Sequence, residues 1–423
     1  MKHLRFISAL CMALLAFGCD ESGIIKPPDV PQDFISQTRP LTEEQEHLMD
    51  GVYAVDTGNE MFGDSVAIRR SGDKITIYTG KKSGFMVLQV GNLDSVILMV
   101  GYWKYQNSNE TGLVQGYIER EEGGAWIMNN GVGERPAKIE IRASLGEGTS
   151  APTVPLRFHY VRPFSAKAIA DLDNFILIGH RCGGRMSDGI RHSENTIEMV
   201  RESEEIGCNG VEVDIRKSKD GVLFLYHDGS INPRLVRKNT LVGATEDYTW
   251  PVLSSEITLI HGEKMPTLEA FLDAVIDQTK VVFVYLDTKS VGKGIIADMI
   301  PIVKKAQDRA DAIGRNVKIY IGIPNTDLLD ELKAIPNYQD LPTLIETSPD
   351  DCEAVNGKVW SPRWSDGTQN ETVAKMQSQG RRVVTWTVDP PQYIREYLFQ
   401  TSGRFNGFLS NYAMYARFNL LMQ

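Results

Sequence analysis

From Asn174 onward, short apolar runs alternate with longer stretches of helical periodicity, and this alternation constrains the chain more than any other feature. Strand-like runs fall at 175–179, 211–215, 281–286, 317–323, 341–345, 359–361, 383–388 and 407–410, with a hairpin-like run at 222–226. Helical patterns occupy 194–206, 267–277 and 294–310, and shorter ones lie between most of the other strands. Strands separated by helices pair in parallel, and about eight of them over some 250 residues predict an α/β fold, a closed (β/α)8 TIM barrel over 172–423. An open doubly wound sheet is the competing architecture. It usually announces itself by a Gly-rich phosphate loop after the first strand, and none follows 175–179.

Upstream the pattern is different. Between 43 and 163 the runs are short, alternate apolar and polar residues, and are separated by Gly, Asn and Asp, as at 65–68, 74–78, 85–88 and 138–141. Period-two alternation between turn signals predicts an antiparallel all-β domain, either a sandwich or a small barrel. No chemical motif stands out in it. Tyr102, Trp103 and Tyr105 fit either a patch facing sugar or lipid or, more ordinarily, a packed sheet face.

The first residues address the compartment. Lys2 and Arg5 precede an apolar stretch, 6–17, which meets Gly18 and Cys19. About twelve apolar residues are too few to span a bilayer, which takes about twenty, so 1–19 reads as a secretory signal peptide. Ala16-Phe17-Gly18-Cys19 resembles the cleavage box of bacterial lipoproteins, with Cys19 as the lipidation site, and the competing reading is a plain cleaved signal. Residues 20–42, with Pro27, Pro28, Pro31 and Pro40, then read as an extended tether between a membrane anchor and the folded body. This places the protein in the bacterial cell envelope, with the membrane face left open. Cys182, Cys208 and Cys352 read as buried thiols, with one bridge possible and no zinc spacing. Lys and Arg number 45 against 55 Asp and Glu, a net charge of −10 without any basic run, which argues against nucleic acid as a partner.

In (β/α)8 barrels the reacting groups sit where strands end. The first strand here ends in His180-Arg181, the second carries Glu212 and Asp214, and the hairpin after it ends in His227-Asp228. The third ends in Asp287-Thr288-Lys289. Glu212 and Asp214 are two apart, so on a strand they face the same side. Paired carboxylates repel unless a cation lies between them. An all-oxygen set of Glu212, Asp214 and Asp287 suits one divalent cation, Ca²⁺ or Mg²⁺, better than zinc. Each residue alone has an ordinary structural explanation. Their convergence on successive strand ends does not.

His180-Arg181, Ser193-Glu194-Asn195-Thr196, Gly210-Val211-Glu212-Val213-Asp214, Lys219-Asp220-Gly221 and His227-Asp228 together resemble the glycerophosphodiester phosphodiesterase family. Pro266-Thr267-Leu268-Glu269, Asp287-Thr288-Lys289, Trp386-Thr387-Val388-Asp389 and Gly407-Phe408-Leu409-Ser410-Asn411 resemble its later landmarks in the same order. The resemblance implies metal-dependent hydrolysis of a glycerophosphodiester to glycerol 3-phosphate and an alcohol. It implies a divalent ion on Glu212, Asp214 and Asp287, His180 and His227 as the general acid/base pair, Arg181 and Lys289 on the phosphate, and Trp386 against the glycerol.

The chain departs from the family pattern at several points. Cys182 stands where the family usually has glycine, Ser193 replaces proline, and Asp287 replaces the commoner glutamate. The Asp287 departure, with Lys289 two residues on, also resembles the sphingomyelinase D branch, a phospholipase D-like transferase that forms a cyclic phosphate. A third reading is a non-catalytic, lipid-anchored binding protein. The choice of alcohol is left open, since it is read by the loops 183–192 and 229–265.

Overall fold

The computed structural model describes residues 26–136, 138–237, 239–290 and 294–423. The expected leader, 1–19, with Cys19, lies outside them.

Eight strands form a closed antiparallel barrel in simple up-and-down order: β1 (Gly51–Thr57), β2 (Ser65–Ser71), β3 (Lys74–Thr79), β4 (Gly84–Leu93), β5 (Val96–Tyr105), β6 (Thr111–Ile118), β7 (Glu140–Leu145) and β8 (Val154–Arg162). Of the two expected forms, the barrel is the one observed. The long β4–β5 hairpin turns on Asp94 and Ser95, both at positive φ (51° and 69°), the geometry a tight two-residue hairpin needs.

Period-two alternation sorts this barrel's side chains into two cores. Ile75 and Ile77, Met86 and Leu88, and Trp103 and Tyr105 point inward and fill the interior with Phe158. Tyr78, Phe85, Val87 and Tyr102 point outward, yet are equally buried, because they pack against the second barrel. The three aromatics singled out in the sequence are thus packed: Trp103 and Tyr105 inside, Tyr102 in the seam.

The second barrel is parallel and closed. Its strands are β9 (Ile176–Gly179), β10 (Gly210–Lys217), β12 (Phe283–Thr288), β13 (Lys318–Ile323), β14 (Thr343–Ile345), β15 (Val359–Trp360), β16 (Arg382–Thr385) and β17 (Gly407–Ser410), which pairs back onto β9. β11 (Leu223–Leu225) pairs antiparallel with β10 outside the ring, as the hairpin-like run implied. The first long helical pattern, 194–206, is shortened to Ile197–Glu202. Thr196 accepts the Met199 N–H as its N-cap, so the residues before it are free to bind elsewhere.

The C-terminal helix, Ala413–Leu421, and the helix Ile197–Glu202 carry Met414, Leu420 and Met199 into the seam, where Ile206 joins them. Thr76 donates to the Glu205 carbonyl at 2.7 Å across it. Residues 26–42 do not hang free: Pro27 and Pro28 are buried, Val30 packs on the shared core, and Arg39 pairs with Asn92. The proline-rich segment, expected as a solvated tether, therefore lies along the body. Cys182, Cys208 and Cys352 are buried free thiols.

Because one apolar cluster contains residues of both barrels, they should unfold together. Ile206→Ala is expected to lower stability by about 2–5 kcal/mol while leaving a single denaturation transition followed by circular dichroism and tryptophan emission. Two separated transitions would show that the barrels are independent.

Candidate active site

The parity of the parallel barrel's interior decides which side chains reach its mouth. Ile176 and Ile178, Phe283 and Tyr285, Leu344, Val384 and Leu409 point into the barrel. Two residues further along each strand, the same face carries His180, Asp287, Glu346, Trp386 and Asn411. On β10 the inward positions are Gly210, Glu212 and Asp214, and the parallel register sets Glu212 beside Tyr285 and Asp214 beside Asp287.

Glu212, Asp214 and Asp287 offer one oxygen each, all within 4.8 Å of one another. Glu212 Oε1 and Asp287 Oδ1 are buried without a hydrogen-bond partner. Asp214 Oδ1 also lacks one, although Lys289 Nζ is 3.1 Å away, close enough for attraction but poorly aligned. Lys289 Nζ reaches Asp287 Oδ2 at 2.5 Å.

Burial, then the charges of Asp214 and Asp287, push Glu212 well above the usual carboxylate range. Burial likewise raises Asp287, against the pull of Lys289. Asp214 moves the other way, to about 2, because Lys289, His227 and Arg181 outweigh its burial. Three desolvated acids, with inward oxygens left unbonded, suit a hard dication.

The supports of this cluster come from the motifs. Asn195, at φ 61°, donates to Asp214 Oδ2 at 2.7 Å and accepts the Asp214 N–H at 3.0 Å. Arg181 and Cys182 also sit at positive φ (51° and 75°), a turn that aims the Arg181 N–H at Glu212 Oε2, 2.8 Å away.

Arg181, expected on the phosphate, is buried. Its guanidinium is bonded to Glu194 at 2.7 Å, with Nε 3.7 Å from Asp214 Oδ2 and without a hydrogen-bond partner, so it braces the acid cluster. Glu194 also receives Arg234, which is bonded in turn to Asp228. A chain of charge-assisted contacts thus runs Arg181–Glu194–Arg234–Asp228 and ends on His227.

Both imidazoles are oriented through Nδ1. His227 Nδ1 lies 2.6 Å from Asp228 Oδ1, so it carries the proton and leaves Nε2 free. His180 Nδ1 lies 2.9 Å from Asn411 Oδ1. The Asn411 amide nitrogen donates to Asp389 Oδ2, so its oxygen must accept from the ring. His180 Nε2 therefore faces the acids, 3.9 Å from Glu212 Oε2. Burial and then Arg181 hold His180 down at about 3, a neutral ring.

Sequence reading had not given roles to Asn195, Asp389, Asn411 or Glu346, although three of them stand inside quoted motifs. Glu346 accepts from the Tyr285 hydroxyl, and burial followed by Asp287 raises it to about 8. Gln106 gave no signal at all. It reaches across from β5's end and donates to the Asn411 carbonyl at 2.8 Å. Trp386 stands at the mouth, its indole N–H on the Ser361 carbonyl (3.0 Å) and Arg363 over its ring.

The site is thus a closed parallel barrel whose mouth carries a buried acid cluster and two imidazoles tethered through Nδ1. The sequence profile of the Glycerophosphoryl diester phosphodiesterase family matches residues 180–401, more than half of the 423, and the chain belongs to that family. A glycerophosphodiester phosphodiesterase of Caldanaerobacter subterraneus is 28% identical over 109 residues, 24% of this chain and 41% of that protein. The match thus spans less than half of that relative.

Among solved structures, a glycerophosphodiester phosphodiesterase from Parabacteroides distasonis shares 21% identity at a TM-score of 0.46, covering 58% of this chain and 97% of that one. An Oleispira antarctica phosphodiesterase, solved with sn-glycerol-3-phosphate, shares 17% identity at a TM-score of 0.46, covering 60% of this chain and 99% of that one.

His192, at the end of the loop 183–192, lies 3.1 Å from both Glu202 and Glu263. Burial opposes its charge, but the two carboxylates win and raise it to about 9. This stabilisation is complete below the unfolded value of about 6.5 and is lost as pH rises through about 9. The stability difference between wild type and His192→Gln should shrink by on the order of 2 kcal/mol across that window. A difference that stays flat with pH, measured by urea titration, would count against the bridge.

Proposed function

We propose that this protein hydrolyses glycerophosphodiesters to glycerol 3-phosphate and an alcohol, using one divalent cation and two imidazoles. The observation that carries the reading is the cluster of Glu212, Asp214 and Asp287 with inward oxygens unbonded, with His180 Nε2 3.9 Å from Glu212, His227 close enough to act electrostatically on Asp214 and Asp287, and both rings tied through Nδ1. The three acids would hold Ca²⁺ or Mg²⁺, which when bound supplies charge to neutralise the phosphodiester. Lys289 adds a second positive group on the same side.

The two rings have different supports. His227 has a carboxylate, Asp228, to balance the charge of a protonated ring, whereas His180 has an amide. The reading therefore gives His180 Nε2 the proton of the attacking water and His227 Nε2 the proton transfer to the leaving alkoxide. The water O–H breaks as an N–H forms on His180, and one P–O bond forms as the ester P–O bond breaks. His227, entering as the imidazolium that Asp228 balances, gives its Nε2 proton to the alkoxide, so an N–H breaks as the alcohol O–H forms. The proton gained by His180 returns to His227 through solvent. Trp386, at the rim, would cover the glycerol end. The lipoprotein-like start, Lys2 to Cys19, supports a lipid-anchored place in the cell envelope.

Glycerol 3-phosphate should be released from at least one of a panel of choline, ethanolamine, glycerol and inositol esters, lost in chelator and restored by Ca²⁺ or Mg²⁺. Loss of acid/base help costs about 10²–10⁴ in rate. His180→Ala should lose that on all substrates, and His227→Ala much less on a p-nitrophenyl ester, whose leaving group needs no proton. No release from any ester with metal supplied removes the proposal. Accumulation of a cyclic phosphate without further hydrolysis would turn it toward the transferase.

Gln106 acts only through Asn411, so Gln106→Ala should lower kcat about two- to tenfold, the scale of one lost hydrogen bond, with KM unchanged. Equal kcat in the variant would show that the first barrel does not position His180.

A further inference from the structure

At the end of the parallel barrel away from the mouth, a pocket of about 330 Å³ opens on the seam. Its walls are the β2–β3 hairpin at Arg69 and Ser71, the residues Gly207–Asn209 that lead into β10, and Arg417 of the C-terminal helix. Residues just before β9, β10 and β12 line it, which fixes it at the N-terminal end of the strands, opposite the acid cluster.

Arg417 is only 3% exposed. Its Nε and Nη2 both donate to the Gly207 carbonyl, at 2.9 and 2.7 Å, and Nη1 is buried with no partner. No carboxylate among the described residues comes within ion-pair distance of it, and the same holds for Arg69. The other cations of the wall are already matched: Arg70 by Glu43 and Glu46 at 3.0 and 2.7 Å, Lys280 by Glu43 at 3.3 Å.

Burial, then the charge of Arg69, draws Arg417 down to about 10. Beside both guanidiniums stands a hydroxyl pair, Ser71 Oγ and Tyr78 Oη, 2.8 Å apart. A buried cation without a counter-charge is costly, and a second cation facing it adds repulsion. An anion between them removes both costs.

We propose that Arg69 and Arg417 hold a phosphate group in this seam pocket, either inorganic phosphate or the end of a small phosphomonoester. The Arg69 fork matches the oxygens of a tetrahedral oxyanion, and the unpartnered Arg417 Nη1 would donate to the same group. The pocket is at the small end of the range for small-molecule sites. Arg69 belongs to the first barrel and Arg417 to the second, so the bound group ties them together.

The site is separable from the mouth in the full-length chain. Titration calorimetry of Lys289→Ala, whose mouth is weakened, should still show one saturable site for inorganic phosphate or for glycerol 3-phosphate, and the tighter of the two identifies the source. Adding Arg69→Gln should weaken that site at least tenfold, while Arg69→Gln alone keeps ester hydrolysis within twofold of wild type. Absence of binding in Lys289→Ala, or equal binding after Arg69→Gln, overturns the proposal. Wild-type crystals soaked in tungstate give a test that needs no variant: anomalous density between Arg69 and Arg417 supports the site, and density at the mouth alone refutes it.

Discussion

Three carboxylates packed into the dry mouth of a barrel repel one another, and most of the local architecture answers that repulsion. Two like charges about 4 Å apart at a surface-like effective dielectric interact by about 4 kcal/mol, comparable with a large part of a domain's net stability. Lys289 is the one ammonium in direct contact with the cluster among the described residues, and it serves Asp214 and Asp287 while leaving Glu212 short of a counter-charge. Asn195 and the Arg181 N–H then supply hydrogen bonds where charge is lacking. The left-handed turns at Arg181, Cys182 and Asn195 follow from the same need, since they aim those donors inward.

The first barrel makes sense in relation to this mouth. Among the described residues its interior is filled by aromatic and aliphatic side chains, as small barrels are. Its contribution lies on its outer face. Tyr78, Phe85 and Tyr102 bury the seam, and Gln106 holds the carbonyl of the residue that orients His180. The parallel barrel's strand ends are thus fixed from two directions, by their own motifs and by a neighbouring barrel.

The parallel barrel was legible because its signals are local. Apolar strands, helices between them and polar residues at strand ends all follow from neighbours in sequence, and the positions of Glu212, Asp214, Asp287, His180 and His227 followed with them. Adjacency of Arg181 to His180 says nothing about which way each side chain points. A left-handed turn sends one to the mouth and the other to Glu194. Alternation in β3 to β5 announced an antiparallel sheet but could not reveal that both faces would be buried, since Tyr78 and Tyr102 look like exposed positions until a second barrel covers them. Gln106 was invisible for the same reason: its partner is 305 residues away.

Charge balance gives the departure at Asp287 a physical setting. Glu346, just beyond β14, adds a fourth acid next to Asp287, and burial together with that neighbour raises it to about 8. The shift favours its neutral form, which accepts from Tyr285 without adding to the repulsion. Burial also raises Glu212 and Asp287, so one ammonium does not suffice to hold all three acids ionised, and a dication would supply the missing charge. With three carboxylates, one ammonium and one dication the set would sum to zero, and a phosphodiester monoanion would meet no net opposing charge. On the proposed reading the ion would thus ionise the acids and admit the substrate as well as polarise it.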